Sequence, residues 1–153
     1  MLFIIVLLFI VVPMTVFLHE VGHGLVARVM KIDGVEVVIG TGPMLVSFQF
    51  GGIHFQFHAI YFFGAYTTNL SAHEVSEWQR GLISLGGPLV NVGVAILAYL
   101  LLDMNHMISE LFVLFNVWVG LVNLIPYKLL KRESDGLIFI KSMYKEIRLI
   151  KTK

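Results

Sequence analysis

Residues 2–27 read LFIIVLLFIVVPMTVFLHEVGHGLVA, and this stretch decides the fold class. A run of about 25 mostly apolar residues is long enough to cross a bilayer core of roughly 30 Å as a helix. No basic residues precede the run, and no small-residue cleavage pattern follows its first part, as both would in a signal peptide. We therefore predict a retained transmembrane helix at residues 2–27.

The rest of the composition also indicates a membrane protein. Hydrophobic residues make up 58% of the 153-residue chain and charged residues 14%, whereas a soluble domain usually carries about 25% charged residues. Two more segments, 80–102 and 107–126, are long and apolar enough to span. We predict a single domain over 1–153, an α-helical membrane protein with a core of three transmembrane helices, whose apolar surface is covered in part by the lipid bilayer.

Net charge and cysteine content exclude several classes of partner and site. The net charge is +1, which gives no reason to expect a nucleic acid as partner. The chain has no cysteine, so disulfides and thiolate metal sites are excluded.

The basic residues predict the orientation in the membrane. None of the eleven Lys and Arg residues lies in the short link 103–106 or its flank, where Asp103 and Glu110 are found. All eleven fall on one side of the membrane if the N-terminus is outside, and the positive-inside rule assigns that side to the cytoplasm. We expect a multi-pass cell-membrane protein with its N-terminus outside and its C-terminus cytoplasmic.

A β element is predicted between the first two spans, at about residues 35–60. Residues 35–39 are strand-like, and residues 46–50 and 53–57 alternate around Gly51-Gly52, which is a strong hairpin signal. A two-residue turn predicts five cross-strand pairs: Phe50 with Ile53, Phe48 with Phe55, Val46 with Phe57, Gln49 with His54 and Ser47 with Gln56. We expect a small membrane-associated hairpin or sheet with one apolar face.

Two further helix features can be read from spacing. Ser71 and Glu74 have capping-box spacing, which predicts a helix start before Trp78. The tail from Gly136 to Ile150 predicts an amphipathic helix with Lys141, Lys145 and Arg148 on one face and Phe139, Met143, Ile147 and Ile150 on the other. Such a basic amphipathic helix is typical of one that lies on an anionic inner leaflet.

The sequence His19-Glu20-Val21-Gly22-His23 is an HExxH motif inside the first predicted span. Residues four apart share a helix face, so His19 and His23 can bind one Zn²⁺ while Glu20 lies beside it. Zinc lowers the pKa of bound water to about 7 and polarises a carbonyl, and a carboxylate can then act as general base. HExxH is short and also occurs by chance, but ionisable residues in a membrane helix are costly and persist chiefly for function.

A catalytic zinc usually has three protein ligands, so a third must come from elsewhere in the chain. The candidates are His54, His58, His73, His106 and Asp135. His106 is disfavoured because it lies in the predicted external link, whereas Asp135 follows the inner end of the third span. Asp135 has a simpler alternative role as a helix N-cap before Gly136. His54, His58 and His73 also have a simpler alternative role, as ordinary polar residues of a ribbon or a helix end.

Three sequence elements together resemble the site-2 protease family of intramembrane zinc metalloproteases. Members have HExGH in one helix, GPxxN in a second, and an N-x-x-P…DG element in a third. This chain has His19–His23, then Gly87-Pro88-Leu89-Val90-Asn91, then Asn123-Leu124-Ile125-Pro126 with Asp135-Gly136. One departure is the link 127–134, which is longer and more charged than the short proline-rich link of familiar members.

The resemblance implies a set of site residues. It implies that His19, His23 and Asp135 bind one zinc ion, that Glu20 is the general base, and that Asn91 lies near the substrate backbone or the developing oxyanion. For Asn91 a polar contact between packed helices is an equal alternative. Familiar members also carry additional domains, such as PDZ or CBS domains. None is recognisable here, so the chain resembles a minimal catalytic core.

The sequence therefore predicts a zinc-dependent endopeptidase that cleaves a membrane-spanning or membrane-associated peptide near the cytoplasmic side. The hairpin offers a strand edge that can hold the substrate in an extended form, although a simple membrane-anchoring ribbon is an alternative for that element. A catalytically inactive membrane binding or regulatory protein that retains the fold and a structural zinc is the alternative function. A metal transporter is a third, disfavoured because few other polar groups occur in the spans.

Overall fold

The computed structural model describes residues 2–69, 75–130 and 132–151. In chain order the first span comprises α1, a π-helical stretch and α2, then come two long strands, two helices, two short strands and a last helix. Their bounds are α1 Leu2–Val6, the π-helix Leu7–Val11, α2 Val12–Val29, β1 Val35–Phe50, β2 Ile53–Asn69, α3 Glu77–Leu101, α4 Met107–Leu124, β3 Lys128–Leu129, β4 Arg132–Glu133 and α5 Asp135–Lys151.

Three helices of the described residues are long and apolar enough to cross a membrane: Phe3–Val29, Glu77–Leu101 and Met107–Leu124. Their bounds agree with the three predicted spans within about three residues at each end, as is usual for helix boundaries. Ser76 is the N-cap residue of α3, and Ile125 is the C-cap residue of α4.

The first span is interrupted by its π-helical stretch just before Pro13. Pro13 has no N–H to donate to the Phe9 carbonyl four residues earlier. The Tyr61 hydroxyl on β2 donates to that carbonyl at 3.3 Å, and the Phe62 ring meets Phe9 edge-on at 5.1 Å. The Phe9 carbonyl, which would be costly to leave without a hydrogen bond in lipid, thus accepts one from the sheet.

The helix start predicted before Trp78 is observed at Glu77. Ser76 caps α3, its hydroxyl accepting from the Gln79 N–H while the Gln79 side chain accepts from the Ser76 N–H. The predicted box of Ser71 and Glu74 lies outside the described residues. From Glu77 the helix runs without a break to Leu101, so the cap begins the second span directly.

The two long strands form one sheet and each bends near its middle. Residues 46–50 pair antiparallel with 53–57, which pair parallel with 35–39, which pair antiparallel with 65–69. The four segments therefore lie side by side in the order 46–50, 53–57, 35–39, 65–69. The β element extends to Asn69, about nine residues beyond the predicted end at 60, and is a mixed sheet rather than a hairpin plus one strand.

The hairpin within this sheet has the predicted register. All five cross-strand pairs are observed, from Phe50 with Ile53 to Val46 with Phe57. The turn residues Gly51 and Gly52 have φ of 58° and 81°, the left-handed conformation that a two-residue hairpin turn requires and that glycine adopts without strain.

A small apolar core fixes the sheet against the C-terminal end of α2. Ala27 of α2 is buried with Val35, Val37, Ile53 and Phe55. By contrast, residues 44–50 along the outer edge are exposed throughout. The inner segments of the sheet thus anchor it to the first span, and the 65–69 edge is held beside the same helix.

The last helix packs on the start of α3. A Cβ atom placed on Gly81 would meet Met143 and Phe139 of α5, so these predicted apolar-face residues contact protein. Ile147 and Ile150 on the same face are exposed, as expected if the far half of α5 touches lipid.

Candidate metal centre

Three predicted ligands converge at one point. His19 and His23 lie one turn apart on α2, and Asp135 is the first residue of α5. His19 Nε2 is 3.0 Å from Asp135 Oδ2, and His23 Nε2 is 3.5 Å from Asp135 Oδ1. The histidines lie about 15 Å and 9 Å from the C-terminal end of α2, at 1.5 Å per residue, within a helix that is long and apolar enough to cross a membrane.

These donors fit a tetrahedral zinc site. One ligand atom from each of the three side chains can be chosen so that all lie within 4.8 Å of one another. Bonds of about 2.0–2.1 Å at tetrahedral angles place ligand atoms about 3.3 Å apart, which matches the two observed separations. Two neutral imidazoles and one carboxylate are a donor set that catalytic zinc sites use.

Each imidazole is held through its other ring nitrogen. His19 Nδ1 lies 2.6 Å from Asn91 Oδ1, and His23 Nδ1 lies 2.8 Å from the Ile83 carbonyl. The Ile83 carbonyl can only accept, so His23 Nδ1 carries the proton, although the Gly87 N–H also lies 3.2 Å from it. Both Nε2 atoms then face the Asp135 carboxylate and are the atoms left to bind a cation, as in metal sites where a second hydrogen bond fixes the tautomer.

Asn91 belongs to a buried polar cluster of three spans. Its Nδ2 donates to the Thr15 carbonyl at 3.1 Å and to Asn116 Oδ1 at 2.9 Å. Asn116 in turn donates to the Thr15 hydroxyl at 3.0 Å. This network orients Asn91 so that its Oδ1 faces His19.

The position of Asn91 does not favour direct substrate contact. Asn91 is 0% exposed, and both its side-chain heteroatoms are bonded to protein groups. The geometry supports the alternative interpretation, a polar contact between packed helices, and adds that this contact holds a predicted metal ligand.

Close helix approach makes the site possible. A Cβ on Gly87 would lie 2.6 Å from His23 Nε2 and 2.8 Å from His19 Cδ2, so only glycine leaves room for the two rings. The backbones of Gly22 and Gly86 are also in close contact. A Cβ atom on either residue would collide with the carbonyl oxygen of the other. The small residues of the GPxxN and HExGH elements therefore let α2 and α3 meet beside the ligands.

The long link before Asp135 folds into a closed hairpin. Lys128 pairs with Glu133 and Leu129 with Arg132, and the Ser134 N–H donates to the Tyr127 carbonyl at 3.0 Å. The extra residues therefore project from the fold and return the chain next to the end of α4. This is why the departure from familiar members does not displace Asp135.

Ser134, rather than Asp135, serves as the helix cap. Its hydroxyl accepts from the Leu137 N–H at 3.3 Å, three residues later, and donates to the Ile125 carbonyl at 2.7 Å. The Asp135 carboxylate is therefore free to face the histidines, and the simpler N-cap role predicted as an alternative belongs to its neighbour.

Glu20 is held by a residue that the sequence did not single out. The Thr67 hydroxyl on β2 is 2.7 Å from Glu20 Oε2 and 2.9 Å from the Glu20 carbonyl oxygen. Glu20 is not one of the three converging ligands. It lies half-buried in the wall of the adjoining cavity, where a base would need to be.

The other candidate ligands lie elsewhere. His54 is 3.3 Å from Glu36, His58 is 2.7 Å from the Gly42 carbonyl, and His106 is 3.6 Å from Asp103. His54 and His58 have the alternative role that the sequence offered, as ordinary polar residues of strands, and His106 lies in the link between α3 and α4, away from the ligands. His73 lies outside the described residues.

A cavity of about 1280 Å³ opens beside the three ligands and Glu20. One wall is the 65–69 edge of the sheet, and the opposite wall is the β3–β4 hairpin with Asn123 and Tyr127. Ionisable groups on its rim include Arg80, Arg132 and Glu133. Hydrogen bonding by Lys141, at 2.5 Å, holds the pKa of Glu133 below its usual range.

Sequence reasoning missed Thr15, Thr67, Asn116 and Ser134. Asn116 carried a usable signal, because an amide inside an apolar span is costly and needs a partner. Thr67 carried none, since a threonine in a strand is ordinary.

Comparison with known proteins agrees with this geometry. The profile of Peptidase family M50 matches residues 3–107, which include the HExGH and GPxxN elements but end before Asp135. A predicted zinc metalloprotease of Chlamydia pneumoniae is 30% identical over 111 residues, 59% of this chain and 18% of that protein. One of Thermotoga maritima is 30% identical over 105 residues, 59% of this chain and 21% of that protein. The chain thus spans about a fifth of the length of these relatives. With the family profile covering more than half of its residues, the chain belongs to peptidase family M50, the site-2 protease family.

Proposed function

We propose that this protein is a zinc-dependent intramembrane endopeptidase that hydrolyses a peptide bond of a membrane-spanning or membrane-associated substrate near the cytoplasmic side. The observation that carries the proposal is the convergence of His19, His23 and Asp135 at membrane depth, with Glu20 beside them in the wall of an open cavity. Family membership supports the metal and the reaction class.

In this proposal His19, His23 and Asp135 hold the zinc ion. When bound there, zinc supplies Lewis-acid polarisation of the scissile carbonyl and lowers the pKa of water. Glu20 Oε takes a proton from the attacking water and delivers it to the leaving amine. Asn91 keeps the His19 Nδ1 proton in place, so that Nε2 stays available as a ligand.

Asn123 is better placed than Asn91 to meet the substrate. It lines the cavity, and its Nδ2 donates to the Val119 carbonyl at 2.9 Å, which engages one of its two N–H groups. The other is available for a substrate carbonyl or the developing oxyanion. We assign to Asn123 the substrate-contacting role expected of Asn91.

The substrate is proposed to bind in an extended form along the 65–69 edge. This edge lines the cavity and is the outermost segment on that side of the sheet, so its free backbone groups can pair with another strand. The opposite edge, 46–50, is not among the segments that line the cavity. Strand pairing exposes a peptide bond that a helix would shield.

The protein is proposed to lie in the cell membrane with its N-terminus outside and its C-terminus in the cytoplasm. The inner ends of α2 and α4 and the start of α3 then lie on the cytoplasmic side, together with the cavity. The distribution of basic residues supports this orientation.

The experiment that tests the function combines metal analysis with cleavage. Purified protein should contain about one zinc per chain and should cleave members of a set of single-span model peptides in proteoliposomes, with products identified by mass spectrometry. Glu20→Gln should retain the zinc and lose at least about 100-fold in rate, because it removes the base only. Asp135→Ala should lose zinc affinity, since it removes a ligand.

Two results would contradict the proposal. One is hydrolysis by metal-free protein. The other is a Glu20→Gln variant as fast as the wild type. Zinc-loaded wild type that binds the peptides without cleaving them would favour the alternative function, a membrane binding protein with a structural zinc.

A further inference from the structure

Two arginines on the cavity rim have no assigned role in the reaction. Arg80 lies in the first turns of α3 and Arg132 in β4, and both line the same cavity as His19, His23 and Glu20. Both side chains are exposed. They come from different elements and line one cavity.

Charge pairing in the cavity leaves these two cations unmatched. Asp135 faces the two histidines, and Glu133 is paired with Lys141 at 2.5 Å and Lys128 at 3.6 Å. Among the described residues, no carboxylate forms an ion pair with Arg80 or Arg132. A bound divalent cation would be offset by Asp135 and Glu20, so the opening as a whole stays cationic.

The peptide bond that reacts is neutral and does not need these charges. A guanidinium presents a planar fork of N–H donors that matches a carboxylate, often with two parallel hydrogen bonds. Arg80 is three residues from Ile83, whose carbonyl holds His23, a rise of about 4.5 Å along the helix. Arg80 is thus about one helical turn from the residue that holds His23, and both residues line the cavity.

Resting on the proposed function, we propose that Arg80 and Arg132 bind a carboxylate of the substrate, and that the preferred substrates carry an acidic residue or a free C-terminus just cytoplasmic of the cleaved bond. The two arginines then select and register the substrate. The apolar part of the substrate lies toward the membrane, and its acidic group lies at the cavity mouth.

Basic residues at the cytoplasmic end of a span also serve simply to position a protein against anionic lipid. That role requires only net charge on the inner flank. Lys31, exposed just after α2 and absent from the cavity lining, offers a matched control because Lys31→Gln removes the same charge from the same flank.

The test measures binding to the zinc-loaded Glu20→Gln protein in phosphatidylcholine nanodiscs, so that no cleavage occurs. The probes are two fluorescent single-span peptides that differ only in Asp-Asp or Asn-Asn at the cytoplasmic end of the span. We expect the Asp-Asp peptide to bind about 10-fold more tightly, and less so at high salt. Adding Arg80→Gln and Arg132→Gln should abolish the preference, whereas Lys31→Gln should retain it. Lysine at both arginine positions should retain only part of it, because lysine keeps the charge but lacks the planar fork.

Three results would overturn the inference: equal binding of the two peptides by the Glu20→Gln protein, equal weakening of both by the double arginine variant, or loss of the preference when phosphatidylglycerol is added, which would assign the arginines to lipid headgroups. Failure of the proposed function has a different signature. If Asp-Asp binding is selective but wild type cleaves neither peptide, the carboxylate site is supported and the hydrolytic function is contradicted.

Discussion

At the scale of single residues, the least expected contact is between the base and the sheet. The Thr67 hydroxyl has one proton and lies within hydrogen-bonding distance of both the Glu20 carboxylate and the Glu20 carbonyl oxygen. It can therefore hold the carboxylate on the side of the cavity without touching metal or substrate. Thr67 is a positioning residue for the base in the proposed mechanism.

We predict that Thr67→Val lowers kcat by about 10-fold or more, because it removes a hydrogen bond to a charged group, while KM and zinc content stay near the wild-type values. Thr67→Ser should restore most of the rate, since it returns the hydroxyl. The measurement is the cleavage rate of a model peptide that the wild type accepts, at several concentrations.

Thr68→Val is the matched control on the other face of the same strand, where successive side chains point in opposite directions. It should leave kcat unchanged. An equal fall in kcat for the valine and serine variants at 67 would show that packing, rather than the hydroxyl, is what matters, and would contradict the positioning role.

The local spacing of residues in the sequence was sufficient to predict some site residues but not others. His19, Glu20 and His23 follow from one helical turn, whereas Asp135 was one of five candidate third ligands until a resemblance that spans the chain singled it out. Thr67 and Asn116 act through contacts 47 and 101 residues apart in sequence. Nothing in their immediate neighbours encodes such contacts, because only the packed helices bring them together.

At the scale of elements, the hairpin was predictable and the sheet was not. A glycine pair between alternating strands fixes both the turn and the register, and all five pairs were confirmed. The parallel pairing of 35–39 with 53–57, and the placement of 65–69 beside 35–39, depend on bends within β1 and β2. Gly40 and Gly42, with φ of 82° and 88°, lie at one of these bends, but glycines alone do not say where the chain goes next.

The order of the sheet segments identifies which edge is available at the cavity. We predict that single proline substitutions at Ala65, Tyr66 and Thr68 include at least one that abolishes peptide cleavage while zinc content is retained, because proline removes a backbone N–H that pairs with an added strand. Proline at Val46 or Phe48, on the opposite edge, should leave cleavage near the wild-type rate.

Zinc analysis and thermal stability of each variant separate loss of the edge from loss of the fold. Normal cleavage by folded, zinc-loaded proline variants at all three positions would contradict strand addition. Cleavage lost only by the 46–50 variants would assign the substrate to the other edge.

At the scale of the whole molecule, the site depends on the packing of four helices. The metal ligands come from α2 and α5, their second hydrogen bonds from α3, and Asn116 from α4. The cavity opens on the side where α2 and α4 end and α3 begins. Water and the polar ends of a substrate can thus reach a centre that lies at membrane depth without crossing the spans.

The orientation of the chain therefore decides on which side of the membrane the cavity opens. This orientation can be tested directly because the protein has no cysteine. A cysteine at Asn105, in the link between α3 and α4, should react with a membrane-impermeant maleimide added to intact cells. A cysteine at Lys151, at the end of α5, should react only after the cells are permeabilised. The positive-inside rule predicts this outcome because the basic residues flank the opposite ends of the spans. Labelling of both sites in intact cells would contradict a single orientation, and the reverse pattern would place the cavity, and with it the proposed cleavage, on the outer side of the membrane.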